Sequence, residues 1–411
     1  MSMRKQTVQS QIAMPSDLKR LNRQKILEVF RSGETLTAAD IHEVTHISRP
    51  TVMRALQHFC QSGVLKSVGL GSATSVGGKK PEQFTFGDKR KILSISLWPQ
   101  SITFALCGLV GDISELTQYE HELENDLDQA FASLASYVED YYRDQKITTK
   151  NLYGVVLNLP GTVDYDRLLL RYNTKAPGWG TDIPMEKYLR TIFGEDVVLF
   201  VDNAGKAVGR AVLLDNPEYS ERRLLTVFST WGISACMIER GHVLNGRDSL
   251  IGEIGHAVIS DSAETNCTCG KSGCLESMIS IKRIRKMLAE AGDETLGTGE
   301  KVTFQKLFAA SDEGHSLARK TVSYLAHCFA TVLHNLALTY NQDMIIFQGD
   351  FAYADQHFDE CLKQELSQFR YFPDDSKITI LYDKRELTKL AARGDSALLQ
   401  RNYFASFIEA E

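Results

Sequence analysis

Hydrophobic and polar positions along the 411-residue chain change period several times, and those changes divide it. From Leu18 to Ser32 the apolar residues Leu21, Ile26, Leu27, Val29 and Phe30 fall at near-helical spacing, and Gly33 ends the run. Thr37–Val44 predicts a short second helix, Thr45–Ile47 a turn, and Ser48–Cys60 a third helix. Ser48 stands at the N-cap position, and Pro50 lies in the first turn, where its missing N–H costs nothing. Ala55, Leu56 and Phe59 form an inward face, leaving Arg49, Thr51, Val52, Arg54 and Gln57 outward. After Gly63 the pattern becomes strand-like. A first strand begins at Gly63–Lys66, a Gly/Ser-rich loop covers Gly69–Gly78, and Lys79-Lys80-Pro81 leads into a second strand, Gln83–Phe86.

From Ile92 onward strands and helices alternate. Strands are predicted at Ile92–Leu97, Ile102–Cys107, Leu152–Leu159 and Val197–Val201, with a helix at Leu127–Tyr142. A second series follows: strand Leu224–Ser229, long helices around Ala309–Leu338, strand Met344–Phe347 and a terminal helix. This alternation predicts an α/β body in two lobes. The domains are placed at 1–87 and 88–411.

Composition narrows the class. With 43% hydrophobic and 24% charged residues and only 9 prolines, the chain is not disordered. The uncharged stretch Ser94–Gly111 contains Pro99 and Gln100 and reads as strand, turn and strand, not a membrane span. The opening residues lack the apolar core of a secretory signal, so a cytoplasmic location is expected. The net charge of −6 conceals an asymmetry. Residues 1–90 hold 14 Lys and Arg against 7 Asp and Glu, while the remainder holds 32 against 45. A basic module on an acidic body points to a polyanion partner for the first ninety residues alone.

Two short helices about a three-residue turn form a helix-turn-helix pattern, whose second helix enters the DNA major groove. The following hairpin completes a winged helix. Ser48, Arg49, Thr51, Val52 and Arg54 are the candidate contacts from the helix, and Lys79 and Lys80 from the wing. A helical protein-interaction module is the alternative. His42, His46 and His58 read as surface residues.

Three of the eight cysteines crowd together in Cys267-Thr-Cys269-Gly-Lys-Ser-Gly-Cys274-Leu-Glu276, after Gly252-Glu-Ile-Gly-His256. One imidazole and three thiols match a tetrahedral Cys₃His zinc site. His256, Cys267, Cys269 and Cys274 fill all four positions, so this zinc is expected to hold a loop without doing chemistry.

Gly252–His256 and Cys267–Glu276 together resemble the signature of the ROK family of repressors and sugar kinases. The helix-turn-helix in front resembles that of its sugar-responsive repressor branch. The resemblance implies a two-lobed actin-like (ribonuclease-H-like) body. It also implies hexose contacts at Gly161, Thr162, Thr174, Asp202, Glu253, His256 and Glu276, with Asp202 matching the kinases' catalytic base. Val201 stands where the family has an Asn, which removes a hydroxyl partner. The phosphate loops depart further. Ser96, Trp98 and Pro99 replace the Asp and glycines of the first loop, Thr230–Cys236 keeps only Gly232, and Gln348-Gly349-Asp350 replaces a double glycine. The resemblance therefore implies a degenerate ATP site and a DNA-binding regulator, a repressor answering to a sugar or sugar phosphate, not an enzyme. It would act as a homodimer or tetramer on a pseudo-palindromic operator. Control by a phosphotransferase-system protein is the alternative, and a sugar kinase the runner-up among enzymes.

Overall fold

The computed structural model describes residues 15–30, 33–71, 80–109, 111–261, 266–292, 301–368 and 378–408. They form two compact units: Met1–Arg90 with Gly108–Val110 and Leu398–Glu411, and Lys91–Cys107 with Gly111–Ala397.

The first unit starts with helices α1 (Pro15–Val29), α2 (Ala38–Thr45) and α3 (Arg49–Gln61). Its small sheet has the order β1 (Leu36–Thr37), β3 (Glu82–Phe86), β2 (Leu65–Leu70), all antiparallel. Thr37 caps α2 in a reciprocal arrangement: its hydroxyl accepts from the Asp40 N–H, and the Asp40 carboxylate accepts from the Thr37 N–H at 2.8 Å. His46 ends α2 in the left-handed region, at φ 57°, and turns the chain toward α3. The winged helix-turn-helix expected from the sequence is thus formed.

One expected contact is corrected. Val52 is fully buried, because Val52, Ala55, Leu56 and Phe59 form a single i, i+3, i+4, i+7 stripe facing the core. Ser48, Arg49 and Arg54 are exposed and Thr51 half-buried, so these four stay on the solvent side of α3. Ser48 occupies the N-cap, but its hydroxyl meets the Thr51 hydroxyl at 2.9 Å and caps no N–H. Lys80 is exposed at the foot of the wing; Lys79 lies outside the described residues.

The end of the chain also belongs to this unit. The last helix, α12 (Leu387–Ile408), supplies Phe404, which stacks on Phe86 with ring centroids 5.4 Å apart. Phe30 meets the same Phe86 ring edge-on at 6.4 Å. Gln400 donates to the Leu109 carbonyl at 2.6 Å. Truncating a buried ring such as Phe404 costs about 3–5 kcal/mol, so the last turns of α12 are part of this core.

The second unit contains two five-stranded sheets. One has the order β11 (Val198–Asp202), β7 (Leu152–Asn158), β4 (Lys91–Leu97), β5 (Ser101–Cys107), β6 (Ile113–Glu120). The other runs β16 (Thr379–Asp383), β15 (Met344–Gly349), β12 (Arg223–Ser229), β13 (Ile233–Glu239), β14 (His242–Val243). Both have the same plan. Three parallel strands, β4, β7 and β11 or β12, β15 and β16, continue into an antiparallel pair. This repeat is the two-lobed ribonuclease-H-like architecture. The central strands β4, β7 and β12 are buried almost throughout, as parallel strands covered on both faces must be.

Helices cover the sheets: α4 (Leu127–Gln145) and α5 (Glu186–Phe193) in the first lobe, α9 (Phe304–Asp312), α10 (Ser316–Thr339) and α11 (Gln356–Ser367) in the second. Helix α6 (Ala204–Asp215) follows β11 directly and packs on β12 and β13. Among the described residues no helix is long and apolar enough to cross a membrane.

Candidate metal centre and adjoining cleft

The Cys cluster forms in a segment with little regular structure. His256 ends one turn of 3₁₀ helix (Ile254–His256), and Cys274 precedes the short helix α7 (Leu275–Met278). Isolated bridges Val258–Cys274 and Asn266–Ser272 fold the intervening loop back on itself. The donor atoms of His256, Cys267, Cys269 and Cys274 all lie within 4.8 Å of one another. Nδ1 of His256 is 3.3 Å from the Cys267 Sγ, and the Cys269 and Cys274 sulfurs are 3.6 Å apart. A tetrahedron with metal–ligand distances of about 2.0–2.3 Å has edges of roughly 3.3–3.8 Å. The four donors therefore fit one metal ion. Burial and the neighbouring thiols push the Cys274 thiol up to about 12; a cation among the sulfurs reverses that preference.

His256 faces two ways. Its Nδ1 lies beside the cysteine, and the same residue lines the adjoining cleft. This cleft lies at the carboxyl ends of β4, β7, β11 and β12, where crossover topology leaves an opening. Gly161, Thr162, Thr174, Glu253, His256 and Glu276, six of the seven predicted sugar contacts, line it together.

Backbone conformation accounts for part of that convergence. Gly252 sits at φ +104°, and a Cβ there would lie 2.0 Å from the Ala235 carbonyl oxygen. Gly161, at φ +136°, would meet the Tyr172 oxygen at 2.1 Å. Both positions require glycine, and both set the adjoining side chains, Glu253 and Thr162, against each other. The Thr162 hydroxyl bonds the Glu253 carboxyl. Burial raises that carboxyl above its ordinary value, against the opposing pull of His256 and Lys206. Glu276 accepts the Ile233 N–H at 2.9 Å and lies 3.7 Å from the Lys175 ammonium.

Asp202 is the exception among the seven, and its expected role is corrected. It is fully buried at the end of β11, apart from the cleft wall, and its carboxylate is ion-paired with Arg210, two turns along α6. Arg210 also approaches Asp395 of α12 at 3.9 Å. Asp395 in turn accepts from the Ser94 hydroxyl and the Asn158 amide, each at 2.6 Å. The group matching a catalytic base is thus neutralised by a guanidinium. Val201 is buried in the core of the first lobe, likewise away from the cleft.

Several N–H groups of the segments that correspond to the family's phosphate loops are committed or missing. Pro99 has none, Trp98 donates to the Ser101 carbonyl at 2.8 Å, and Thr230 donates to Gly232 at 3.0 Å. The N-terminus of α6 is capped by the Asn203 side chain, which accepts from Gly205.

Several site residues were not singled out from the sequence. Asn158, Lys175 and Trp231 line the cleft, and Arg210 and Asp395 form the buried cluster. Lys175 adjoins the predicted Thr174, so proximity could have flagged it. Asp395 lies 237 positions from its partner Asn158 and had no local signal.

The chain belongs to the ROK family, whose model matches residues 132–402. It is similar to the xylose repressor of Caldicellulosiruptor bescii, 22% identical over 363 residues, covering 85% of this chain and 88% of that one. It is also similar to the DNA-binding transcriptional dual regulator NagC of Escherichia coli, 21% identical over 407 residues, covering 96% and 95%. Among solved structures, a ROK family transcriptional regulator homologous to the Escherichia coli MLC protein superposes with a TM-score of 0.78. That match is 19% identical and covers 95% of this chain and 99% of the other. ROK glucokinases share the body's fold as well: the Streptomyces griseus enzyme gives a TM-score of 0.62 at 15% identity, covering 75% of this chain and 98% of its own.

The buried carboxylate cluster predicts a pH dependence. Burial pushes the Asp395 carboxyl up to about 7, from an ordinary 3.8. Between those values the folded chain holds a proton that the unfolded chain has released, so stability falls as pH rises through this window. Asp395→Asn is expected to flatten that decline in urea unfolding measured at several pH values. An unchanged slope in the variant would assign the effect elsewhere.

Proposed function

We propose that this chain is a sugar-responsive transcriptional repressor. The basic winged helix binds operator DNA, and the cleft beside the metal centre binds the effector. The observation that carries the reading is the combination of a complete polar cleft wall with a disarmed nucleotide side. Thr162, Glu253, His256 and Glu276 offer paired donors and acceptors suited to a polyol. Asp202 is bound to Arg210, the N–H groups of Trp98, Thr230 and Ile233 are occupied, and Pro99 has none. The full-length similarity to the xylose repressor and NagC supports the same reading. One module spans one half-site, so the reading calls for a homodimer or tetramer on a pseudo-palindromic operator. A cytoplasmic location goes with it.

The metal is zinc in this reading, held by His256, Cys267, Cys269 and Cys274. Its chemistry when bound is that of a structural cation, since four protein donors complete the tetrahedron. His256 and the Cys274–Glu276 turn then place one wall of the cleft. On the DNA side, Arg49, Thr51 and Arg54 read bases from the start of α3, Ser48 positions it, and Lys79 and Lys80 hold phosphates from the wing.

Three outcomes follow from this reading. In mobility-shift titrations Arg49→Ala or Arg54→Ala should relax sequence preference, since a bidentate arginine–guanine contact discriminates by about 1–3 kcal/mol. Lys79→Ala and Lys80→Ala should weaken all sequences alike and each flatten the salt slope by about one unit. Specificity lost from the wing alone would reverse that assignment.

Metal analysis of protein purified without chelators should return about one zinc per chain. Cys269→Ser should lose the metal and loosen Gly252–Glu276 in hydrogen exchange, because ligation energy is folding energy for such a loop. Freely titrating thiols in the native protein would sink the zinc assignment.

No hexose should be phosphorylated in a coupled ATP assay. Turnover abolished by Asp202→Asn would restore the kinase reading.

A further inference from the structure

The cleft has two chemically different walls, and only the polar one is accounted for by a single sugar ring. The opposite wall is formed by Trp98, Pro99, Ala204 and Phe228. Trp98 and Phe228 stack with centroids 6.2 Å apart and rings 18° from parallel. Two polar atoms at this end have no hydrogen-bond partner: the donor Nε1 of Trp98 and the acceptor Oδ1 of Asn158. Asn158 is only 1% exposed, and its amide nitrogen is already committed to Asp395 and Ser96. A buried donor and a buried acceptor beside an aromatic surface suit one kind of group: a ring with a C–H face and hydroxyls at its rim.

The same end is hostile to a phosphate. Glu253 and Glu276 bring two carboxylates to the cleft against one ammonium, Lys175. That ammonium is already engaged, donating to the Trp231 carbonyl at 2.6 Å and lying 3.7 Å from Glu276. The N–H groups of Trp98, Thr230 and Ile233 are taken by Ser101, Gly232 and Glu276. A dianion here would find like charge, with the N–H groups of Trp98, Thr230 and Ile233 already committed.

We propose that the effector of this cleft is an unphosphorylated disaccharide. Its first ring meets Thr162, Glu253 and His256. Its second ring lies against Trp98 and Phe228, with hydroxyls on Trp98 Nε1 and Asn158 Oδ1. This inference rests on the sugar-binding reading of the polar wall and specifies which sugars the cleft takes.

The test is calorimetric titration of the full-length, zinc-loaded protein with three sets of probes. These are glucose, xylose and N-acetylglucosamine; their phosphate esters; and the neutral disaccharides cellobiose, xylobiose, chitobiose, maltose and lactose. One disaccharide is expected to bind more tightly than its own monosaccharide by up to about tenfold, the margin that an aromatic stacking contact supplies. The phosphate esters are expected to give no heat. Trp98→Ala should remove the disaccharide advantage while leaving monosaccharide affinity within about twofold. Trp98→Phe keeps a ring against Phe228 and guards against misfolding; it should lose part of the advantage with the indole N–H. A phosphate ester or a monosaccharide as the tightest ligand would overturn the inference and leave the regulator reading intact. Equal weakening of both ligand classes by Trp98→Ala would overturn it too. Silence of the whole panel would overturn both this inference and the sugar-responsive reading.

Discussion

The body is organised around a buried ion cluster. Asp202 ends β11, Arg210 stands two turns along α6, Asp395 projects from α12, and Ser94 and Asn158 come from β4 and β7. Two carboxylates and one guanidinium removed from water are costly unless every partner is in place. The cluster therefore constrains five elements at once. Deleting one partner would leave an uncompensated charge, whereas the intact set fixes how α6 and α12 lie on the first-lobe sheet. The cluster adjoins the floor of the cleft, because Asn158 belongs to both.

That cluster stands within a body whose fold is shared with the ROK glucokinases. The ROK body still converges on a cleft at the carboxyl ends of its strands, and the glycines at 161 and 252 still permit the close backbone approaches. The changes sit where charge would have to be handled. Asp202, which matches the kinases' catalytic base by resemblance, is fully buried and ion-paired with Arg210. The first of the loops that correspond to the family's phosphate loops carries Pro99, which has no N–H, next to Trp98. His256 belongs both to the Cys loop, through its Nδ1 beside Cys267, and to the lining of the cleft, so the two share a residue.

Much of this was legible in the chain itself. The three thiols and the imidazole were readable because ligand spacing is local, and a segment with four donors in nineteen residues has little packing reason to hold them. The winged helix was readable for the same reason: its caps, turn and apolar stripe all lie within ninety residues. Where local reading failed, it failed at the edge of a pattern. Val52 begins the stripe that Ala55, Leu56 and Phe59 continue, and the core claimed it.

Tertiary structure alone decided the rest. The sequence by itself pointed to element types and to the clustered His and Cys donors, which periodicity and short motifs encode, and its resemblance to the family pointed to six residues that line the cleft. It could not determine that Arg210 takes Asp202 out of the cleft, nor that Asp395 joins them. Nor could it show that Phe404 fills the first unit's core against Phe86, more than three hundred positions away. Contacts between such distant positions carry no periodic signal. They exist only once the sheets are closed and buried charges and rings must find partners.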